Sequence, residues 1–298
     1  MYIAIALFPE NKSYYKDDPV LVKTITTKAV NEYGRGISGL AIADSELFVT
    51  SFKTQDIEVY DLKNLRLARS WRLDHLINPW DLGYCNSNKC LYVMDATCVD
   101  TSKEIVRVTL NGKLLKRWTT RMGYGSISAT YDSNVVMAGF QGYIVTEYTA
   151  EGQIVREITL SAKAGLARPW HALKLTNGRL LICHGEEVDS LHRVCEVDTS
   201  GHIRKSFGGS GGSTPDRLLV PMCLAVDSSG GIIVADRDNS RVLALSSDLE
   251  FTGEIISSGK DGMHRPERLA IDQANGRLLV VHNDAYWSKC LVLVYEII

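Results

Sequence analysis

A short apolar run closing on a polar or small residue recurs six times along this chain, and its spacing constrains the fold more than any other feature. The closing residues are Ser51 (LFVTS), Asp95 (LYVMD), Gly139 (VVMAG), His184 (LLICH), Asp236 (IIVAD) and His282 (LLVVH), at intervals of 44, 44, 45, 52 and 46 residues. A period of about 40 to 50 residues in segments rich in β-branched and aromatic side chains is that of a four-stranded propeller blade.

The remainder of each unit fits that reading. Each run is the second strand of its unit. The third strand is marked by Tyr60, Val108, Tyr148, Val197, Leu245 and Tyr295, and the fourth by Trp71, Trp118, Ile158, Phe207 and Ile255. Between them stand tight turns such as Leu110-Asn111-Gly112, Ala150-Glu151-Gly152 and Thr199-Ser200-Gly201, where glycine admits the positive φ a hairpin needs. Helical periodicity is nearly absent. The sixth unit runs out after its third strand, at Ile298, whereas Val20 to Ile25 has fourth-strand character and no unit of its own. The expected fold is therefore all-β: a single six-bladed propeller over residues 1–298, four antiparallel strands per blade. The blades fall near 35–73, 77–120, 124–160, 167–208, 219–257 and 264–298, and a strand at about 20–26 completes the last one. Closure of this kind removes the exposed edge that an open array leaves.

Composition narrows the function classes. A formal net charge of -2, with no run of five like charges, offers no extended track for a polyanion, so nucleic acid ranks last among candidate partners. No run of 18 apolar residues occurs, which argues against a membrane-spanning helix. The apolar start MYIAIALF lacks a basic flank and reads as a strand rather than a leader, which makes a cytoplasmic monomer the expectation. Seven cysteines without C-x-x-C spacing read as free thiols. Cys85 and Cys90 face each other across CNSNKC, where a disulfide is the alternative; the sequon Asn11-Lys12-Ser13 matters only in a secreted protein.

In Leu224-Ala225-Val226-Asp227 followed by Asp236-Arg237-Asp238-Asn239-Ser240-Arg241-Val242, the chain resembles the NHL-repeat family. Pro79, Pro169, Pro221 and Pro266 repeat that family's blade-opening proline. The full motif stands only in the fifth unit, and His184 and His282 replace the blade-ending Asp. The resemblance implies a propeller that binds proteins or RNA. The RING, B-box and coiled-coil regions that often accompany it are missing, so no ubiquitin-ligase role carries over. A related six-bladed group holds amidating lyases with a histidine-bound zinc and calcium-dependent lactonases.

Candidate site residues collect on one face, where the loops leading into each first strand meet the loops between second and third strands. There the sequence places Trp80, Asp81, Trp170, His171, Met222, Cys223, Glu267 and Arg268, with the longest loops at 96–104, 185–192 and 283–289. Loops on a rigid scaffold are the usual seat of binding. The favoured function is a binding module for a protein or small ligand, with Trp80 and Trp170 as aromatic anchors or, equally, as packing between blades. The alternative is a metal-dependent lyase or hydrolase, with zinc or calcium held by His171, His184 and His282 together with Asp95 or Asp236. Set against it, a strand-ending Asp or His also serves to accept loop N–H groups. No G-x-S-x-G occurs, and Gly208 to Gly212 reads as a flexible link rather than a phosphate loop.

Overall fold

The second strands are apolar at nearly every position because both of their faces are covered. The computed structural model describes residues 15–16, 18–27, 36–52, 54–74, 76–95, 103–120, 125–139, 142–161, 164–166, 168–185, 190–283 and 290–298. These residues form six four-stranded antiparallel sheets. From channel to rim, blade one is β2 (Ile37–Ala43), β3 (Glu46–Ser51), β4 (Asp56–Asp61) and β5 (Arg66–Arg72). Blade two is β6 (Pro79–Cys85), β7 (Cys90–Asp95), β8 (Lys103–Thr109) and β9 (Leu114–Thr120), and blade three is β10 (Gly125–Ala129), β11 (Val135–Gly139), β12 (Ile144–Tyr148) and β13 (Ile154–Thr159). Blade four is β14 (Pro169–Lys174), β15 (Leu180–His184), β16 (Leu191–Val197) and β17 (Ile203–Ser210). Blade five is β18 (Pro221–Val226), β19 (Ile232–Asp236), β20 (Arg241–Leu245) and β21 (Phe251–Ile256).

Blade six takes its inner three strands from β22 (Pro266–Asp272), β23 (Arg277–Asn283) and β24 (Cys290–Glu296), and its rim strand from β1 (Val20–Thr26). The β1–β24 pairing runs antiparallel from Val20 opposite Glu296 to Thr26 opposite Leu291. Ile25 of β1 is buried at the joint between blades six and one, against a cluster that includes Ile37, Val49, Val281 and Val292. Similar apolar clusters fill the other five joints. Each fully buried aliphatic side chain there contributes about 1.5 to 3 kcal/mol.

Rim strands such as β5 and β9 are mostly exposed, yet their tryptophans turn inward. A Cβ on Gly112 (φ 85°) would lie 2.7 Å from the Trp71 ring, and one on Gly152 (φ 83°) 2.6 Å from Trp118. Glycine is needed there for its backbone and for the space that the preceding blade's indole occupies. Among the described residues no helix is long and apolar enough to cross a membrane.

One local expectation is revised and another is met. Gly208 and Gly209 are not a flexible link, for they belong to β17 and pair with Arg193 and His192. Cys85 and Cys90 are opposite each other and, as expected, are free thiols, both fully buried. The start MYIAIALF, the sequon and most of the loops at 96–104, 185–192 and 283–289 lie outside the described residues.

Candidate functional site

The first strand of each blade is a sheet edge facing the central channel, so its outward N–H groups need partners that no neighbouring strand supplies. Two side chains meet much of that need. Asp81 accepts the N–H of Leu82 at Oδ1 (3.0 Å) and that of Ile127, in the next blade, at Oδ2 (3.1 Å). His171 accepts the N–H of Leu224, one blade further on, at Nδ1 (3.2 Å). Its Nε2 lies 3.0 Å from the hydroxyl of Ser128 on the other side. Each side chain therefore laces adjacent inner strands together.

Arg268 supplies the countercharge. Its Nε stands 3.4 Å from Asp81 Oδ1, within ion-pair range but outside hydrogen-bond geometry, and its Nη1 donates to the Glu267 carbonyl at 3.0 Å. Burial pushes the Asp81 carboxyl above its usual range, and the Arg268 charge opposes that shift. Burial, with the same guanidinium nearby, lowers His171 to about 3, so the imidazole is neutral. Because Nδ1 accepts an N–H, the ring proton belongs on Nε2. Burial also raises the Cys223 thiol to about 11, which leaves it protonated rather than nucleophilic.

The strand-ending residues face their own blades instead of one another. Asp95 accepts the N–H of Ile77 (3.0 Å) and Asn78 (2.6 Å), just before Pro79. Asp236 accepts that of Leu219 (2.7 Å), just before Pro221, and His282 Nδ1 that of His264 (3.3 Å), just before Pro266. His184 lies beside Cys195, Nε2 to Sγ 3.7 Å, and burial lowers it to about 3. Among the described residues no three His, Cys, Asp or Glu side chains form a metal-binding group. The expected set of His171, His184, His282, Asp95 and Asp236 is thus not assembled. The physical reason is that Asp95, Asp236 and His282 are turned to loop N–H groups and His171 to two inner strands, while His184 packs against Cys195 within its own blade.

The fifth-blade motif is explained in the same terms. Asp236 Oδ2 receives Asn239 (2.8 Å) and the Arg241 Nε (2.8 Å). Arg241 then donates to the carbonyls of Ser213 (3.0 Å), Thr214 (3.1 Å) and Arg217 (2.7 Å). One Asp, one Asn and one Arg thereby fasten the long connection that stretches the fourth interval to 52 residues. Trp80 and Trp170 are half-buried. Trp80 meets Phe52 edge to face at 5.3 Å, and Trp170 donates its indole N–H to the Gly185 carbonyl at 3.0 Å. Glu267 pairs with Arg237 at 3.2 Å.

A cavity of about 890 Å³ occupies the channel on the other side of this polar layer. Its wall comes from the later halves of the first strands, including Leu82, Ser128, His171, Leu224 and Leu269. It continues into the turns after them, at Leu175 to Asn177 and Asp227 to Gly230. It therefore opens on the face opposite the one where the sequence placed Trp80 and Trp170. Ser128 was missed for a simple reason: a serine in an apolar strand gives no signal until the ring brings it against His171.

A model of the NHL repeat matches residues 218–245, which is blade five. Human NHL repeat-containing protein 3 is 24% identical over 231 residues, covering 66% of this chain and 64% of that protein, so the match spans less than two thirds of the relative's own length. Among solved structures, virginiamycin B lyase from Staphylococcus aureus is similar with a TM-score of 0.61 at 13% identity, over 95% of this chain and all of that one (100%). A streptogramin B lyase gives 0.60 at 10% identity, over 93% and 97% of the two chains. A protein of unknown function from Bacteroides caccae gives 0.57 at 14%, over 78% and 86%. At these identities the likeness is one of fold. Blade count and strand order make the chain a six-bladed β-propeller, and its fifth blade carries a match to the NHL repeat.

Proposed function

We propose that this propeller is a non-catalytic binding module whose central channel takes a small ligand. The observation that carries the reading is the 890 Å³ cavity, a size typical of small-molecule sites, walled by the rigid first strands with apolar side chains and by polar groups at the turns that follow them. The groups that suggested chemistry support binding rather than turnover. His171 has both nitrogens engaged, and Asp81 is occupied by two N–H groups and a guanidinium. Under this reading Ser128 and His171 belong to the cavity wall, Asp81 and Arg268 brace the strands beside it, and Trp80 and Trp170 stabilise the blades.

The test is a thermal-shift screen of neutral and charged small molecules against the parent and against Ala225→Phe, which fills part of the cavity. Ligands of the channel raise the melting temperature of the parent and lose that effect in the filled variant. Hits that act equally on both proteins sink the channel reading. A hit found chemically converted after incubation makes the protein an enzyme instead, in keeping with the lyases that share its fold.

A further inference from the structure

The hydrogen-bond order around His171 fixes the role of Ser128. The Leu224 N–H occupies Nδ1 at 3.2 Å, so the neutral imidazole carries its proton on Nε2. At 3.0 Å the Ser128 oxygen therefore accepts from Nε2, which leaves its own hydroxyl hydrogen to donate elsewhere. No acceptor for that hydrogen is present among the described residues. Ser128 is buried within the protein but lines the cavity. A buried donor without an acceptor is costly, and a ligand oxygen placed there relieves the cost.

The cations on the cavity wall are already paired. Lys174 pairs with Glu147 (2.6 Å) and Asp132 (2.5 Å), and Arg179 with Glu196 (2.6 Å). Lys205 pairs with Asp248. Asp227 accepts the N–H groups of Ser229 and Gly231, both at 2.8 Å, and the hydroxyl of Tyr15. An anionic ligand would lose its hydration and gain no free cation.

We infer that the channel selects a non-anionic ligand bearing a hydrogen-bond acceptor such as a carbonyl, which the Ser128 hydroxyl recognises on the cavity wall. This rests on the channel reading above. His171 is a positioning residue in this arrangement: it dictates that Ser128 donates.

Three naphthalene probes test the inference by fluorescence titration at pH 7: the neutral ketone 6-propionyl-2-dimethylaminonaphthalene, its carbonyl-free parent 2-dimethylaminonaphthalene, and 2-naphthoate. The ketone should bind tightest and naphthoate at least about tenfold more weakly, for want of a countercharge. Ser128→Ala should weaken the ketone about three- to tenfold, as loss of one hydrogen bond does, and leave the carbonyl-free probe within about twofold. Ser128→Cys, close in shape with a weak donor, should fall between them and serves if the alanine variant folds poorly. Equal effects of Ser128→Ala on both neutral probes, or naphthoate binding as tightly as the ketone, overturn the assignment while leaving the channel site standing. If neither neutral probe binds up to its solubility limit, the channel reading fails and the assignment with it.

Discussion

Arg268 of blade six and Asp81 of blade two form an ion pair, Nε to Oδ1 3.4 Å, across the channel side of blade one. Gly39 of β2 lets blade one pack closely against the Asp81 strand. A Cβ on Gly39 would come within 2.7 Å of the Leu82 nitrogen and 2.9 Å of the Asp81 Cα.

Breaking this pair on the basic side leaves a buried carboxylate with no countercharge. Arg268→Met should cost about 3 to 5 kcal/mol in urea unfolding. Adding Asp81→Asn in the same chain should recover part of that loss, since no net charge then remains buried. A double variant less stable than Arg268→Met alone would show that the carboxylate matters through its N–H bonds rather than its charge.

Stability should fall in mild acid because of two histidines. His171 and His184 are held to about 3 in the fold, whereas the unfolded chain protonates them near 6.5. Between those values the unfolded state binds more protons, so acid favours it, by on the order of 1 kcal/mol per pH unit for each ring. The raised carboxyls of Asp81, Asp95 and Asp236 act in the opposite sense. Their folded forms hold protons more tightly, so they favour the fold as pH drops toward 4. Urea midpoints between pH 7 and 5, compared with those of His184→Asn, should show a shallower decline in the variant.

The seam at β1 is tested by single side chains. Ile25→Ala should cost about 2 to 4 kcal/mol, because Ile25 is 3% exposed at the joint of the last and first blades. Val22→Ala on the same strand, 38% exposed, should stay within about 0.5 kcal/mol. Equal, small effects would mean that β1 contributes little beyond its ladder.

The turn glycines separate backbone strain from crowding. Gly178 (φ 82°) has open space where a Cβ would go, so Gly178→Ala should cost only the left-handed strain, about 1 to 2 kcal/mol. Gly112→Ala carries the same strain and also drives a methyl into Trp71, so its loss should be visibly larger. Thermal melts of the two variants measure the difference.

The propeller was legible because its determinants are local and repeated. Strand-long apolar runs, turn glycines and the orphan strand at Val20 each state their role in a few residues. The site was less legible because its contacts cross the ring. Asp81 reads as a rim carboxylate until Ile127, 46 positions later, is found donating to it. His171 looks like a ligand until Ser128 and Leu224 occupy its two nitrogens. His184 and His282 stood out as departures from an Asp pattern. For His282 the departure preserves the function, since an imidazole nitrogen accepts the His264 N–H as Asp236 accepts that of Leu219.

The β1–β24 ladder also orders events at the ribosome. Blades one to five are each contiguous in sequence and can zip up as they emerge. The earliest of the described strands, Val20–Thr26, must wait for the latest of them, Cys290–Glu296, before it has a neighbour to bond. Throughout that interval an apolar edge at each end of the nascent arc stays open to chaperones or to misassembly with another copy. A permuted gene that starts at residue 28 and appends the original first 27 residues after Ile298 would make the last blade contiguous too. It should shorten that exposure and lower the yield lost to aggregation during synthesis.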